Sequence, residues 1–407
     1  MFYQELINKM KVLYIGANWP QPSVTAAGVR TIGLIQALKA LGASVNFISI
    51  KKVNKYQTKD IEAQEIPFAY CPPNNPEEFQ KHTDAEVCIF ETARLEEMFG
   101  HMIYYMNNKC KRVIDTQDLH SLRLTRQELV NTGTTPSAVV ESQLDFKQDF
   151  IAREFACFMR SHASILTSAY EQKLVAEYFP FIHTQVIPFL YPNSLITKNK
   201  SWFSNPLKKS DFVWIGNFQH PPNKHAVDHL VHNIWPEIYS KTKAQLHIYG
   251  ANFPQTHNWY QEGVRVEGQM KSIEELKRFK VLLAPIQFGA GIKGKITDSF
   301  LHGVGVVTTS IGAEGIDPFP GKVSDTNQEF IEKAVDLYSD SKALERCISE
   351  GFTYLQKNCG FSQNKTKLKK LIENLEYHPL QDILMNEAYR STFYFSKFVE
   401  YKEKLKT

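Results

Sequence analysis

The chain has 407 residues, 43% of them hydrophobic, and a formal net charge of +4. That length suggests two or three domains with real cores, and so small a charge, without an arginine-rich block, gives no reason to expect nucleic acid as a partner. Six scattered cysteines (Cys71, Cys88, Cys110, Cys157, Cys347, Cys359) form no CxxC pair, which argues against a disulfide framework or a zinc site and for reduced, mostly buried thiols in a cytoplasmic protein.

The opening "MFYQELINKMKVLYIG" lacks a charged region followed by an apolar one, so no signal peptide is expected. No run reaches the roughly 18 apolar residues that a membrane span requires. The first nine residues read as a loose extension. "KVLYIGANWP" (11–20) is a strand ending in glycine, and "AAGVRTIGLIQALKALG" (26–42) is a helix whose stripe is Val29, Ile32, Leu34, Ile35, Leu38 and Leu41. "SVNFISI" (44–50) is the next strand. Strand, glycine loop, helix, strand is the start of a Rossmann-like unit. "EVCIFE" (86–91), "RVIDT" (112–116), "SILTS" (164–168) and "QVIPF" (185–189) continue the strands of this half. Just past one of them, Asp115, Asp118, His120 and Arg123 crowd into "RVIDTQDLHSLR" (112–123). A histidine among acids at a strand end can position or deprotonate a hydroxyl; a capping aspartate with solvated neighbours has the same sequence.

"YPNSLITKNKSWFSNPLKKS" (191–210) is rich in Asn, Ser, Lys and Pro, lacks a period, and reads as a linker. The pattern then restarts. "DFVWIGNF" (211–218) is a strand, residues 221–241 are a helix entered through prolines, and "AQLHIYG" (244–250), "VRVEG" (264–268), "VLLAPI" (281–286) and the run from Gly303 to Thr308 are further strands. The fold class that follows is α/β, with two Rossmann-like domains facing each other across a cleft. In "GNFQHPPN" (216–223), Gly216 allows close backbone approach, and His220 or Lys224 can meet a phosphate; a loop stiffened by two prolines is the plainer alternative.

"GAGIKGKITDSFLHG" (289–303) follows a strand, and open α/β sheets bind ligands at strand carboxyl ends. Its glycines and the start of the next helix can hold a diphosphate on the N–H groups of Ala290 to Lys293, with lysine charge beside it. Asp298, about two turns into that helix, can accept from both hydroxyls of a ribose. A glycine-rich turn with solvated lysines is the competing account. The loop is not a Walker A motif, because Ile296 follows Lys295. In "SIGAEGI" (310–316), Glu314 can reach a polyol, though by itself the stretch reads as a turn. The tail 363–407 is helical and mildly basic with many aromatics; a segment on a membrane surface and a terminal helix packed over both domains both suit it. The chain has no GxSxG, HExxH or Cys–His cluster, and its first half has no full GxGxxG. These absences weigh against hydrolase, common metal-site and nicotinamide chemistry.

Together these stretches resemble the retaining family 4 glycosyltransferases of the GT-B fold, in the branch with a GAGxKGK donor loop. The residues that carry the likeness are "GNFQHPPNKHAV" with "IWPEI" (234–238), then "APIQFGAGIKGKITDSFLHGVGVVTTSIGAEGI" (284–316), and more loosely "DTQDLHSLR" and "ILTSAYEQKLV" (165–175). The likeness runs from about residue 11 to 320 and implies an acceptor-side domain over 1–190, a linker over 191–210, a nucleotide-sugar donor domain over 211–370 and a helical tail over 371–407 that packs across the domains. It implies that Gly216, Asn217, His220, Gly289, Ala290, Gly291, Ile292, Asp298 and Glu314 bind the donor, with Gly268 and Gln269 at the base. Lys293, Lys295 and His120 would serve catalysis, and Gly28, Asp118 and Arg123 the acceptor side. Many members carry two glutamates eight positions apart here. Asp298 falls on the second, the ribose position, and Ala290 falls on the first, where no acid stands.

The implied reaction moves a sugar from a nucleotide-sugar to a hydroxyl of a glycan, lipid-linked or other acceptor, with retention, for cell-surface glycan synthesis. It needs neither a cofactor nor a metal, and it takes place in the cytoplasm, either free or peripherally at the inner face of the membrane. Two other readings stay open: a sugar-nucleotide epimerase on the same fold, and a catalytically degenerate nucleotide-binding protein.

Overall fold

The computed structural model describes residues 9–202, 209–254, 256–376, 383 and 387–391. The expected loose extension before residue 9 and most of the tail beyond 376 lie outside the described residues. Two wholly parallel sheets form the frame. The first has seven strands, β1 (Lys11–Gly16), β2 (Ser44–Ser49), β3 (Phe68–Tyr70), β4 (Val87–Glu91), β5 (Lys111–Asp115), β6 (Ala163–Leu166) and β7 (Thr184–Val186), in the order β3-β2-β1-β4-β5-β6-β7. The second has six, β8 (Ser210–Asn217), β9 (Leu246–Ala251), β10 (Val264–Gly268), β11 (Phe279–Ala284), β12 (Gly305–Thr308) and β13 (Lys322–Val323), in the order β10-β9-β8-β11-β12-β13. Helices cover the sheets, giving the α/β architecture of two Rossmann-like domains.

The order reverses between β1 and β4 in one sheet and between β8 and β11 in the other. At such a switch point neighbouring loops leave in opposite directions and open a crevice at the strand carboxyl ends. The loops after β8 and β11 are those with "GNFQH" and "GAGIK".

Local sequence explains the elements that frame the crevice. The helix Ala26–Ala40 starts where Thr25 accepts a hydrogen bond from Gly28 N at 3.0 Å, and Gly42, at φ +90°, turns the chain out of it. Ile32, Leu34, Ile35 and Leu38 are buried on the sheet, while Val29 and Leu41 lie half-buried at the edge of the stripe. All six cysteines are free and buried.

Three elements differ from expectation. The helix expected over 221–241 is broken into Pro221–His229, a π-helical turn Leu230–Ile234, and Trp235–Thr242. Pro236 is the cause: it offers no N–H and its ring crowds the carbonyl one turn back, so the helix widens there. The stretch read as an aperiodic linker contains the helix Asn193–Trp202, secured by buried Ile196 and by Asn199, which donates to Leu301 O at 2.9 Å. The chain also recrosses between domains before residue 370. Tyr191 and Gly360 form a parallel bridge at the crossover, and the helix Phe361–Glu373 then packs on the N-terminal domain.

Leu368, Leu371 and Ile372 share the N-terminal core with Val12, Tyr14 and Leu38. Further on, buried Tyr389 donates to Glu96 of the same domain. Leu368→Ala is therefore expected to destabilise the N-terminal domain by about 2–5 kcal/mol, the range for a buried leucine that leaves a cavity. Urea unfolding checks it, since a helix merely resting on the surface would show almost no change.

Candidate active site

The loop after β11 is pressed against the opposite domain. Gly291 has φ +64°, and a Cβ there would lie 2.6 Å from Thr167 Oγ1 and 3.3 Å from Asp118 Cβ, so only glycine fits. Gly294, the first residue of the helix Gly294–Leu301, stands against Ala26 and Phe189. Gly315 (φ +84°) meets Ser168 in the same way. The loops after β11 and β12 thus close on those after β5 and β6, and the sequence candidates from both halves gather along this seam.

On the N-terminal side, Asp118 Oδ1 lies 3.1 Å from His120 Nε2, and Asp118 Oδ2 accepts from Arg123 Nε at 2.7 Å. Burial alone would raise the Asp118 carboxyl, but His120 and Arg123 hold it well below the usual carboxylate range. Burial works against charge on His120, yet Asp118 outweighs it and the imidazole is raised. Two buried glutamates fix this turn. Glu154 accepts from His120 N at 3.0 Å and Ser121 N at 2.7 Å, capping the helix His120–Asn131. Glu171 accepts from Leu119 N at 2.8 Å and Thr167 Oγ1 at 2.8 Å, tying the two loops together. Gly28 is buried, and a Cβ there would meet the backbone of Gln21 at 2.5 Å, so it makes room for the β1 loop beside Ala26 and Gly294.

On the C-terminal side, Lys295 Nζ donates to Asn223 Oδ1 at 2.6 Å and sits 4.2 Å from the centre of the buried Trp214 ring. Burial lowers its pKa to about 7. Asn223 Nδ2 in turn donates to Asn217 O at 2.7 Å, and a Cβ on Gly216 would meet both Trp214 and Asn223, so "GNFQHPPN" shapes the seat of that lysine. Lys293 Nζ donates to Gly291 O at 2.7 Å; burial lowers its pKa and Glu314 opposes that. His220, in the loop after β8, is exposed and stands near enough to Asp118 of the opposite domain for their charges to interact. Asp298 Oδ1 accepts from Tyr191 Oη at 2.8 Å; burial pushes its carboxyl up to about 6, and the tyrosine bond works the other way.

Some candidates are placed otherwise than their expected tasks would suggest. Glu314 is held by Arg126 of the opposite domain, whose guanidinium donates to its two oxygens at 2.7 and 3.1 Å and to Gly289 O at 3.0 Å. Ala290, on the position where an acid was expected, is buried in an apolar cluster of the N-terminal domain with Leu119 and Leu122. Ile292 is buried beside Gly315. Gly268 (φ +80°) and exposed Gln269 end the edge strand β10, two strands from β8, and no hydrogen bond among the described residues joins them to 289–293.

Arg126, Glu154, Glu171 and Tyr191 escaped the sequence reading. A signal existed for two of them. Ser168-x-x-Glu171 is a capping box before an apolar run, and Ser168 Oγ does accept from Glu171 N at 3.1 Å. Arg126 lies one helical turn after Arg123, on a neighbouring face.

Comparison with known proteins places this arrangement. Residues 209–340 match the family described as "Glycosyl transferases group 1". In a sequence comparison, no curated protein matches the chain. Among solved structures it is similar to HepE from Anabaena in complex with UDP-glucose, at 12% identity and a TM-score of 0.65, over 89% of this chain and 99% of that one. It is similar also to the sucrose-phosphate synthase of Thermosynechococcus elongatus, at 14% identity and a TM-score of 0.63, over 90% and 99%. A third is the pneumococcal O-GlcNAc transferase GtfA in complex with UDP and GlcNAc, at 10% identity and a TM-score of 0.61, over 90% and 99%. At such identities the likeness is one of fold, the GT-B arrangement of two Rossmann-like domains. The group 1 domain on that fold makes the chain a glycosyltransferase. No helix among the described residues is long and apolar enough to cross a membrane.

Proposed function

We propose that the protein transfers a sugar from a nucleotide-sugar to a hydroxyl acceptor, with retention, in the assembly of a cell-surface glycan. The observation that carries the donor site is the convergence of Lys293, Lys295 and the N-terminus of the helix Gly294–Leu301 on the β8/β11 switch point, opposite Asp118, His120 and Arg123. A leaving nucleoside diphosphate gains negative charge, and two lysines with unpaired helix N–H groups can stabilise it. The sugar carbon becomes oxocarbenium-like, and with no carboxylate at position 290 we assign front-face attack, with His120 orienting the sugar or the acceptor hydroxyl. Uridine is the first base to test, since HepE and GtfA were solved with UDP. The cell-surface role rests on the family resemblance.

Following UDP-glucose and UDP-GlcNAc by NMR, alone and with a glycan or lipid acceptor extract, tests the reading. Donor consumption that requires acceptor supports transfer. Conversion of donor without acceptor would instead point to an epimerase. Ala290 favours a second reading, a binding protein that leaves every donor intact; it predicts diphosphate binding with no turnover in either sample.

Two expectations follow from the lysines. Transfer should survive excess EDTA, because leaving-group charge is met by Lys293 and Lys295; loss of activity restored by magnesium or manganese would contradict this. Nucleotide binding should also take up protons. Lys295 is lowered to about 7 in the free protein, and a diphosphate beside it favours the ammonium form. The bound state then holds more protons, so affinity falls as pH rises above about 7. Calorimetry at about pH 8, in buffers of different ionisation enthalpy, should show uptake of most of one proton. No uptake would show either that Lys295 is already charged in the free protein or that the diphosphate lies away from it.

A further inference from the structure

Tyr191 belongs to neither sheet. It lies in the crossover between the domains, where its N–H donates to Cys359 O and its carbonyl accepts from Phe361 N, both at 2.8 Å. The ring is buried and stacks on Phe189 with centroids 5.6 Å apart. Asn364 of the return segment donates to Phe189 O and Gly360 O, so both strands of the crossover are fastened together around this residue. From this fixed base the phenol reaches the donor helix. Its hydroxyl lies 3.0 Å from Thr297 Oγ1 and 2.8 Å from Asp298 Oδ1. Thr297 Oγ1 donates to Gly294 O at 2.9 Å, so the threonine is itself fixed on the first turn of the helix beside the phenol, and the phenol proton goes to the carboxylate. Among the described residues Asp298 Oδ2 receives no hydrogen bond.

We propose that Tyr191 is a positioning residue that sets ribose selectivity, holding one carboxylate oxygen of Asp298 so that the other meets the nucleotide's ribose hydroxyls. This rests on Asp298 as the ribose ligand of the donor site. A short aspartate on the second turn of a helix has several rotamers open to it, and only an ordered carboxylate rewards a ribose over a deoxyribose. The crossover supplies that order from outside the donor domain.

The test compares UDP with 2′-deoxy-UDP, and inorganic pyrophosphate as a probe of the phosphate seat alone, on the full-length wild type, Tyr191→Phe and Asp298→Asn. The wild type is expected to prefer UDP by about 10-fold, the worth of one hydrogen bond to a charged group. In Tyr191→Phe the preference should shrink to within about 3-fold, while pyrophosphate affinity and melting temperature change little. A purely structural tyrosine would lower the melting temperature and leave the preference intact. Full preference in Tyr191→Phe, when Asp298→Asn has lost it, overturns the proposal and leaves the donor site standing. Full preference in Asp298→Asn also overturns it. If UDP does not bind, the same comparison is run with GDP and ADP and their 2′-deoxy forms; if none of the three binds the wild type, the donor-site reading falls with the proposal.

Discussion

Arg126→Met is expected to destabilise the folded chain by about 3–5 kcal/mol and to loosen the closure of its two domains. The guanidinium is fully buried, and its partner Glu314 is only 5% exposed. Arg126 also donates to Ser142, Val140 O and the Tyr170 hydroxyl on its own side, so its donors are satisfied in place. Removing it strands a buried carboxylate and leaves the carbonyl of Gly289 without this donor at the seam. The penalty comes mostly from the orphaned charge, so Arg126→Met with Glu314→Gln should be milder than Arg126→Met alone. Denaturant unfolding of the four proteins of that cycle gives the coupling directly. Additive losses would show that the pair does not join the domains. Because Arg126 grips the carbonyl of Gly289, the variant is expected to weaken nucleotide binding as well.

The second large effect belongs to Lys295. Lys295→Met should lower kcat/KM by about 100- to 1,000-fold, the usual loss when one preorganised donor to a developing anion is removed. The ammonium is seated by Asn223 and by the Trp214 face, so a lysine merely solvated at the surface is not the picture here. Asn223→Ala should reproduce part of the loss by freeing that seat, with Lys295 still present. Steady-state kinetics on both variants checks the ranking, and an unchanged Lys295→Met would remove the lysine from the reaction.

The two half-chains were legible because each announces itself in the same way, with an apolar strand ending in Gly16 or Gly216 and a helix after it. The glycine–lysine loop was legible as a close-packed turn, because Gly291 at φ +64° leaves no room for a side chain. What stayed hidden was whatever depends on the two halves meeting. Glu314 looked like a polyol ligand because nothing nearby in sequence is basic; its partner Arg126 arrives from a different domain. Ala290 looked like a missing acid, yet it is buried in the apolar cluster that includes Leu119 and Leu122, where a carboxylate would be costly. Tyr191 sat in a stretch without period, and a crossover residue carries no pattern to read. Pro236 did carry a signal: a proline inside a helical run predicts the break that the π-turn then provides.

The proposed task of the loop and helix over residues 289–298 is to hold the diphosphate and ribose of a donor nucleotide. Thermal-shift titration with UDP, GDP and ADP, on the wild type and Asp298→Ala, tests it most directly. One of the three is expected to raise the wild-type melting temperature in a saturable way, and Asp298→Ala to abolish most of the shift. No shift with any of the three, or an equal shift in Asp298→Ala, would contradict it.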